Sequence, residues 1–212
     1  MNTLEEIAVK VKACQSCRVY EGRMNAVPGI GNSKAEIVFI GEGPGKGEDL
    51  QGEPFVGAAG KFLNEMLAGI NLKREDVFIT NVVKCRPPGN RDPLEDEVMA
   101  CTSLYLWKQL ELINPILIVT LGRHSMHNFL PETMKISEVH GVPMRATIKK
   151  TGKIFNVLPL YHPAAALYNG GLRQTLISDF QKIPQVISSL KNIGLTRLPK
   201  FEAKSRLETR RT

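Results

Sequence analysis

Residues 36–45, EIVFIGEGPG, decide the fold. A continuous apolar, β-branched run ends at a Gly/Pro-rich loop, as a strand buried on both faces does when it feeds a ligand-facing turn. Working outward, Gly57 to Ile70 reads as a helix with Phe62, Leu63, Met66 and Leu67 on one face. Val77 to Thr80 is a second short strand, and Glu95 to Ile113 a helix with Pro93 at its boundary. Pro115 to Leu121 is a third, wholly apolar strand, with a helix over Arg123 to Phe129. Val142 to Pro159 reads as a hairpin around Thr151-Gly152, whose arm Ile154 to Leu158 is the fourth core strand. A last helix covers about Leu172 to Leu190, and a short amphipathic helix (Leu4, Ile7, Ala8, Val11) opens the chain. Alternating strands and helices of this kind predict an α/β fold, three layers α/β/α about a mostly parallel, four-stranded sheet. The domain is expected over residues 1–190, with a basic tail at 191–212.

The 212 residues suffice for one such domain, and 42% apolar with 23% charged content is that of a globular chain. The longest uncharged stretch, Ile154 to Leu172, is interrupted by prolines, glycines and asparagines, so no membrane helix is expected. The opening MNTLEEIAVKVK lacks a secretory pattern, which predicts a cytoplasmic, nucleoid-associated protein. The net charge is +7, of which residues 191–212 carry seven bases against two acids, or +5. A basic balance favours polyanions such as nucleic acid, and a solvated terminus explains the tail charge equally well.

Cys14 and Cys17 form a C-x2-C pair, whereas Cys85 and Cys101 are separated by fifteen residues. In a reducing compartment four such thiols point to metal chemistry before disulfides. Zinc sites mostly use two close pairs, so the wide second pair favours an iron–sulfur cluster; four unrelated buried cysteines remain an alternative on spacing alone.

Ligands of open parallel sheets bind beyond the carboxyl ends of the strands. Here those ends carry Gly41 to Gly45, Asn81, Gly122-Arg123-His124 and Tyr161-His162-Pro163. A glycine-rich loop, an amide, a guanidinium and two imidazoles are thereby expected along one edge. Nucleotide motifs fail: a phosphate loop would need glycine at Phe55 and Ser or Thr at Phe62, and a dinucleotide fingerprint would need glycine at Lys46. Neither a serine elbow nor HExxH occurs. His124 and His127 stand three apart, with one expected to face solvent, and His140 has no evident partner in the sequence.

Taken together, GEGPGKGED (41–49), GEPFVGAAGKFLNEML (52–67), FITNVVKCRPPGNRDP (78–93) and YHPAAAL (161–167), in this order and spacing, resemble the family 4 uracil-DNA glycosylases, the iron–sulfur type of archaea and thermophilic bacteria. The resemblance runs from about Ala13 to Leu190. It implies that Cys14, Cys17, Cys85 and Cys101 hold a [4Fe–4S] cluster. It implies a base flipped from DNA into a pocket, with Phe55 stacked on uracil, Asn81 reading its O4 and N3–H edge, and backbone groups of Gly41 to Gly43 on the O2 side. Glu48 matches the position that crowds C5 against thymine's methyl group. His162 would stabilise the departing uracil anion at O2.

Other uracil glycosylase families place an aspartate where this chain has Gly43. Glu42 is then the nearest carboxylate, to orient water or to hold the loop's own amides. Leu167 would wedge into the gap left by the base, and Tyr168 stands where the family has an arginine. Arg86, with Arg91 and Lys84, would touch the DNA backbone. A related group traps uracil through a histidine in the stretch matching CRPPGNRDP; none is present here, so hydrolysis is expected. The substrate is expected to be uracil in single strands and in U·G or U·A pairs, without strand nicking. The alternatives are a glycosylase for another deaminated base, such as hypoxanthine, and a catalytically weak iron–sulfur DNA-binding or redox-sensing protein that keeps the fold. A sliding clamp or another repair protein would suit such an enzyme as partner, but no clean clamp-binding box is present. A monomer is expected.

Overall fold

The computed structural model describes residues 2–148, 152–193 and 200–203. Among them, seven strands form one sheet: β1 (Ile30–Gly31), β2 (Ile37–Gly41), β3 (Phe78–Asn81), β4 (Leu117–Leu121), β5 (Met144–Ile148), β6 (Ile154–Leu160) and β7 (Lys200–Ala203), in the order β1-β3-β2-β4-β6-β5-β7. The four central strands β3, β2, β4 and β6 run parallel, with Gly41 level with Asn81 and Leu121 level with Leu160. These are the four strands expected from the sequence. β5 is the first arm of the expected hairpin, antiparallel to β6, and the sheet extends beyond the expected strands where β1 adds an antiparallel neighbour and β7 pairs parallel to β5. β1 is too short to show periodicity, and Lys200–Ala203 lies in the segment read as a tail. Residues 194–199 and 204–212 of that tail, and Thr151 of the hairpin turn, lie outside the described residues, whereas 191–193 end the last helix.

Side-chain alternation divides the interior into two cores. Val38, Ile40, Phe78, Ile118 and Val157 face one side, where α1 (Leu4–Lys12), α4 (Glu95–Cys101) and α5 (Trp107–Ile113) cover the sheet. Ile37, Phe39, Ile79, Val119 and Leu158 face the other, against α3 (Ala58–Ala68), α9 (Gly170–Gln181) and α10 (Ile183–Ile193). Period-two alternation on strands buried on both faces produces this three-layer arrangement directly. Three short helices, α2 (Lys46–Gln51), α6 (Arg123–Met126) and α7 (Ile136–Val139), and the helix α8 (Pro163–Tyr168) complete the α-helices of the described residues.

Local chemistry sets the helix boundaries. Thr3 caps α1 by accepting from the Glu6 amide at 3.2 Å, and the helix carries acids in its first turn and lysines in its last. The helix expected over 95–113 is divided by a π-helical turn, Thr102–Leu106, directly after Cys101. Thr102 Oγ1 donates back to the Val98 carbonyl at 2.8 Å there, a bond that competes with the helical ladder. The final helix is likewise two: Pro184 cannot continue an earlier hydrogen-bond ladder and sits in the first turn of α10.

Candidate active site

All four polar strand ends meet at the carboxyl edge of the parallel strands. A cleft of ≈ 390 Å³ opens there, lined among others by Glu42, Gly43, Glu48, Phe55, Asn81 and His162. Asn81 is buried at the end of β3, level with Gly41 at the end of β2. A Cβ on Gly41 would lie 2.3 Å from Asn81 Oδ1 and 2.7 Å from Phe55 Cζ, so only glycine lets the loop backbone approach the pocket wall. Lys84 fixes the Asn81 backbone from behind: Nζ donates to the Asn81 carbonyl at 2.7 Å and to Thr80 Oγ1 at 2.6 Å.

Phe55 forms the opposite wall, and its backbone has φ 54°. A left-handed conformation is costly for an aromatic residue and persists only where surroundings impose it. Arg74 imposes it by donating to the carbonyls of Phe55 (3.1 Å) and Pro54 (2.6 Å). Gly60 yields the remaining room, since a Cβ there would lie 1.7 Å from the Phe55 carbonyl oxygen. The Phe55 ring faces that of His162 with centroids 5.7 Å apart and planes 27° from parallel.

His162 caps α8 and accepts the Ala164 amide at Nδ1, at 3.1 Å. An accepting Nδ1 leaves the proton of the neutral ring on Nε2, so the ring is a hydrogen-bond donor to the cleft. Burial pushes its pKa down to about 4, with Glu48 pulling weakly the other way, and the ring is neutral at pH 7.

Glu48 lines the cleft, but its oxygens are engaged. Oε2 accepts from Gly45 N–H at 3.1 Å, and Oε1 from Val56 and Gly57 at 3.1 and 3.3 Å. It thus ties the loop after β2 to the Phe55 loop. Glu42 stands at the rim, with its backbone carbonyl accepting from Val83 N–H at 3.0 Å. Burial and the charge of Asp92, partly offset by Arg123, push its carboxyl up to about 7. The ligand atoms of Glu42, Asp92 and His124 all lie within 4.8 Å of one another. Asp92, and Asn90 with φ 57° in the cleft wall, were not picked out as site residues from the sequence. Polar residues in a turn-rich loop carry no periodicity that could mark them.

Leu167 is 41% exposed on α8 beside the cleft rather than in the core, and Tyr168 is 92% exposed. Arg86 is half-buried and donates to Asn90 Oδ1 at 2.7 Å. One companion proposed for it from the sequence is corrected: Lys84 is 1% exposed and cannot reach a DNA backbone. Arg91 lines the cleft and makes a bidentate pair with the buried Glu97 at 2.9 and 2.7 Å. His140 has a partner after all, Asp179 Oδ2 at 2.6 Å from Nδ1. His127 Nε2 lies 3.0 Å from the Met134 carbonyl, and His124 and His127 are both half-buried.

Behind the cleft, Cys85 and Cys101 are buried, and Cys14 and Cys17 pack against the same core. The thiols are close enough to influence one another electrostatically, Cys85 sensing both Cys14 and Cys17, and Cys101 sensing Cys85 and Cys17. Arg23 Nη1 lies 2.9 Å from Cys85 Sγ, and the amides of Lys84 and Ser16 lie 3.4 and 3.5 Å from Cys101 Sγ and Cys14 Sγ. Four thiols from one core that influence one another, with N–H donors on the sulfurs of Cys14, Cys85 and Cys101, fit the donor set of a metal–sulfur centre.

The parallel sheet and its edge cleft bring Phe55, Asn81 and His162 into one lining. Residues 28–183 match the family model described as the uracil DNA glycosylase superfamily. A type-4 uracil-DNA glycosylase of Saccharolobus solfataricus is 53% identical over 192 residues, covering 89% of this chain and 88% of the relative. Those of Archaeoglobus fulgidus and Thermotoga maritima are 50% and 41% identical, over 88% and 87% of this chain and 94% of each relative. The chain belongs to the uracil-DNA glycosylase superfamily and, within it, to the type-4 family.

Proposed function

We propose that this chain is a monofunctional uracil-DNA glycosylase. It flips uracil from single- or double-stranded DNA, hydrolyses the N-glycosidic bond, and leaves an abasic site for base excision repair. The observation that carries the reading is the strained Phe55 wall held opposite Asn81 and His162, since backbone strain maintained at a cleft is a mark of function.

In this mechanism Phe55 stacks on the uracil ring. The Asn81 amide donates to O4 and accepts from N3–H, whereas cytosine would leave both buried groups unpaired. Glu48 holds the two loops that shape the C5 side, and the Gly41 to Gly43 backbone lies along O2. As the bond breaks, negative charge gathers on O2, and the His162 Nε2–H donor stabilises it without a proton having to move; one such donor contributes about 3 kcal/mol. Glu42, ionised in part at neutral pH, takes a proton from the water that attacks C1′. Leu167 occupies the vacated stack and Arg86 the adjoining phosphate. Among the described residues no lysine lines the cleft, which agrees with hydrolysis rather than Schiff-base chemistry.

Cys14, Cys17, Cys85 and Cys101 would hold a [4Fe–4S] cluster. Its role would be to cross-link the chain around the 85–93 loop rather than to exchange electrons. The enzyme works as a monomer in the nucleoid.

The test is a labelled oligonucleotide carrying one deoxyuridine, with thymidine and deoxycytidine controls, treated with alkali after incubation. Strand breakage confined to the uracil strand and dependent on alkali is expected. Asn81→Ala should lose excision while keeping nonspecific DNA affinity; persistent excision by that variant would displace Asn81 from the pocket role.

A further inference from the structure

The rim of the cleft carries a charge cluster that the catalytic reading does not use. Asp92 comes from the loop before α4, and Arg123 and His124 from the start of α6, whose position is held where Asn128 Nδ2 donates to the His124 carbonyl at 2.7 Å. His124 Nε2 lies 3.1 Å from Asp92 Oδ2 and 4.0 Å from Glu42 Oε2. Arg123 contacts two members of this arrangement, with Nε donating to His124 Nε2 at 3.1 Å and Nη2 lying 3.6 Å from Asp92 Oδ2. The imidazole thus stands between two carboxylates from separate loops, with a guanidinium behind it.

We propose that Asp92, His124 and Arg123 are positioning residues that act through Glu42: the charged groups they place beside its carboxylate at the rim of the cleft set its basicity for the attacking water. The inference rests on Glu42 being the group that accepts the water's proton. Its physics is that of two like charges sharing a site beside one opposite charge. Asp92 opposes ionisation of Glu42 and Arg123 favours it, so their balance decides how strong a base Glu42 is near neutral pH. Burial of Glu42 adds to the effect of Asp92 and is common to all the variants considered below. Across the cleft, Glu48, Arg91 and His162 face the same space. Glu48 is spent on three amides and Arg91 on Glu97, and His162 is already neutral well below the pH range concerned.

The test is the single-turnover rate of uracil release from a single-stranded deoxyuridine oligonucleotide at saturating enzyme, measured from pH 5 to 9. The wild-type rate should rise with pH through an acid limb near 7. Asp92→Asn should move that limb down, and Arg123→Gln should move it up, each by about half a pH unit. Asp92 and Arg123 are both about two-thirds exposed, so neither change threatens folding. Opposite shifts from two neighbouring surface residues are not produced by a merely structural role, which would lower the rate at all pH values alike. Glu42→Gln is the discriminating control and should remove the acid limb. If Glu42→Gln abolishes the limb while the other two leave it in place, the positioning role is overturned and the base assignment stands. If Glu42→Gln keeps both the limb and the rate, the base assignment itself falls, and the positioning role with it.

Discussion

His162 shows how one residue's neighbours determine its chemistry. A histidine before proline at a strand end is visible in the sequence, but its protonation state is not. The Ala164 amide sets the tautomer, and burial makes the ring neutral at any pH above about 5. Two outcomes follow. Replacing His162 by alanine should slow single-turnover excision about 100- to 1000-fold with unchanged DNA affinity. Because the folded pKa of about 4 lies below the ordinary 6.5, the ring's contribution to stability is complete above pH 6.5 and is lost as pH falls through 4. Thermal melts of the wild type should therefore fall more steeply between pH 6.5 and 4 than those of His162→Gln. Parallel melting curves would show that the ring is not buried as a neutral group.

At the scale of elements, the loop from Cys85 to Asp92 joins the cysteine cage to the cleft, and a buried ion pair clamps it. Glu97, on α4 with no exposed side-chain surface, accepts two bonds from Arg91 and one from the Leu94 amide at 2.8 Å. The Arg91 guanidinium, foremost among its neighbours, holds this carboxyl below its usual range. Arg91→Met would take away the two guanidinium bonds of a buried carboxylate and leave it only the more distant Arg18, at 3.8 Å, a loss of about 2 kcal/mol. Chemical denaturation should detect it, and Arg91→Met/Glu97→Gln should recover part of it. The helix itself was readable from the apolar spacing of 95–113. The π-helical turn after Cys101 was not, since it depends on a hydroxyl–carbonyl bond that periodicity does not encode.

For the molecule as a whole, charge is distributed unevenly along the chain. Of the net +7, residues 204–212 carry four bases and one acid, or +3. A chain ending at Ala203 keeps every described strand and has a net charge of +4. Its affinity for undamaged DNA should be weaker at low salt, with a shallower dependence of log Kd on log salt, while the single-turnover excision rate is preserved. Titrations at several salt concentrations would decide; an unchanged slope would show that the terminal bases make no phosphate contacts.

The four parallel strands, the helices on both faces and the cluster of polar residues at one sheet edge were determined by the sequence itself. Apolar periodicity and turn chemistry are local properties, and the topology they imply carries the strand ends to a common edge. The hairpin arm β5 was legible as well, whereas β1 and β7 depended on the fold, because two to four residues on a sheet margin have too little pattern of their own. Only the tertiary structure decided which polar side chains are free to act. Glu48, Lys84 and Arg91 read as candidates, yet their charged atoms are taken up by backbone amides, a backbone carbonyl and a buried carboxylate. Asp92 gains significance by lying next to Glu42, fifty positions away in the chain. Hydrogen-bond partners and like-charge neighbours are set by distance in space, and that distance exists only once the chain has folded.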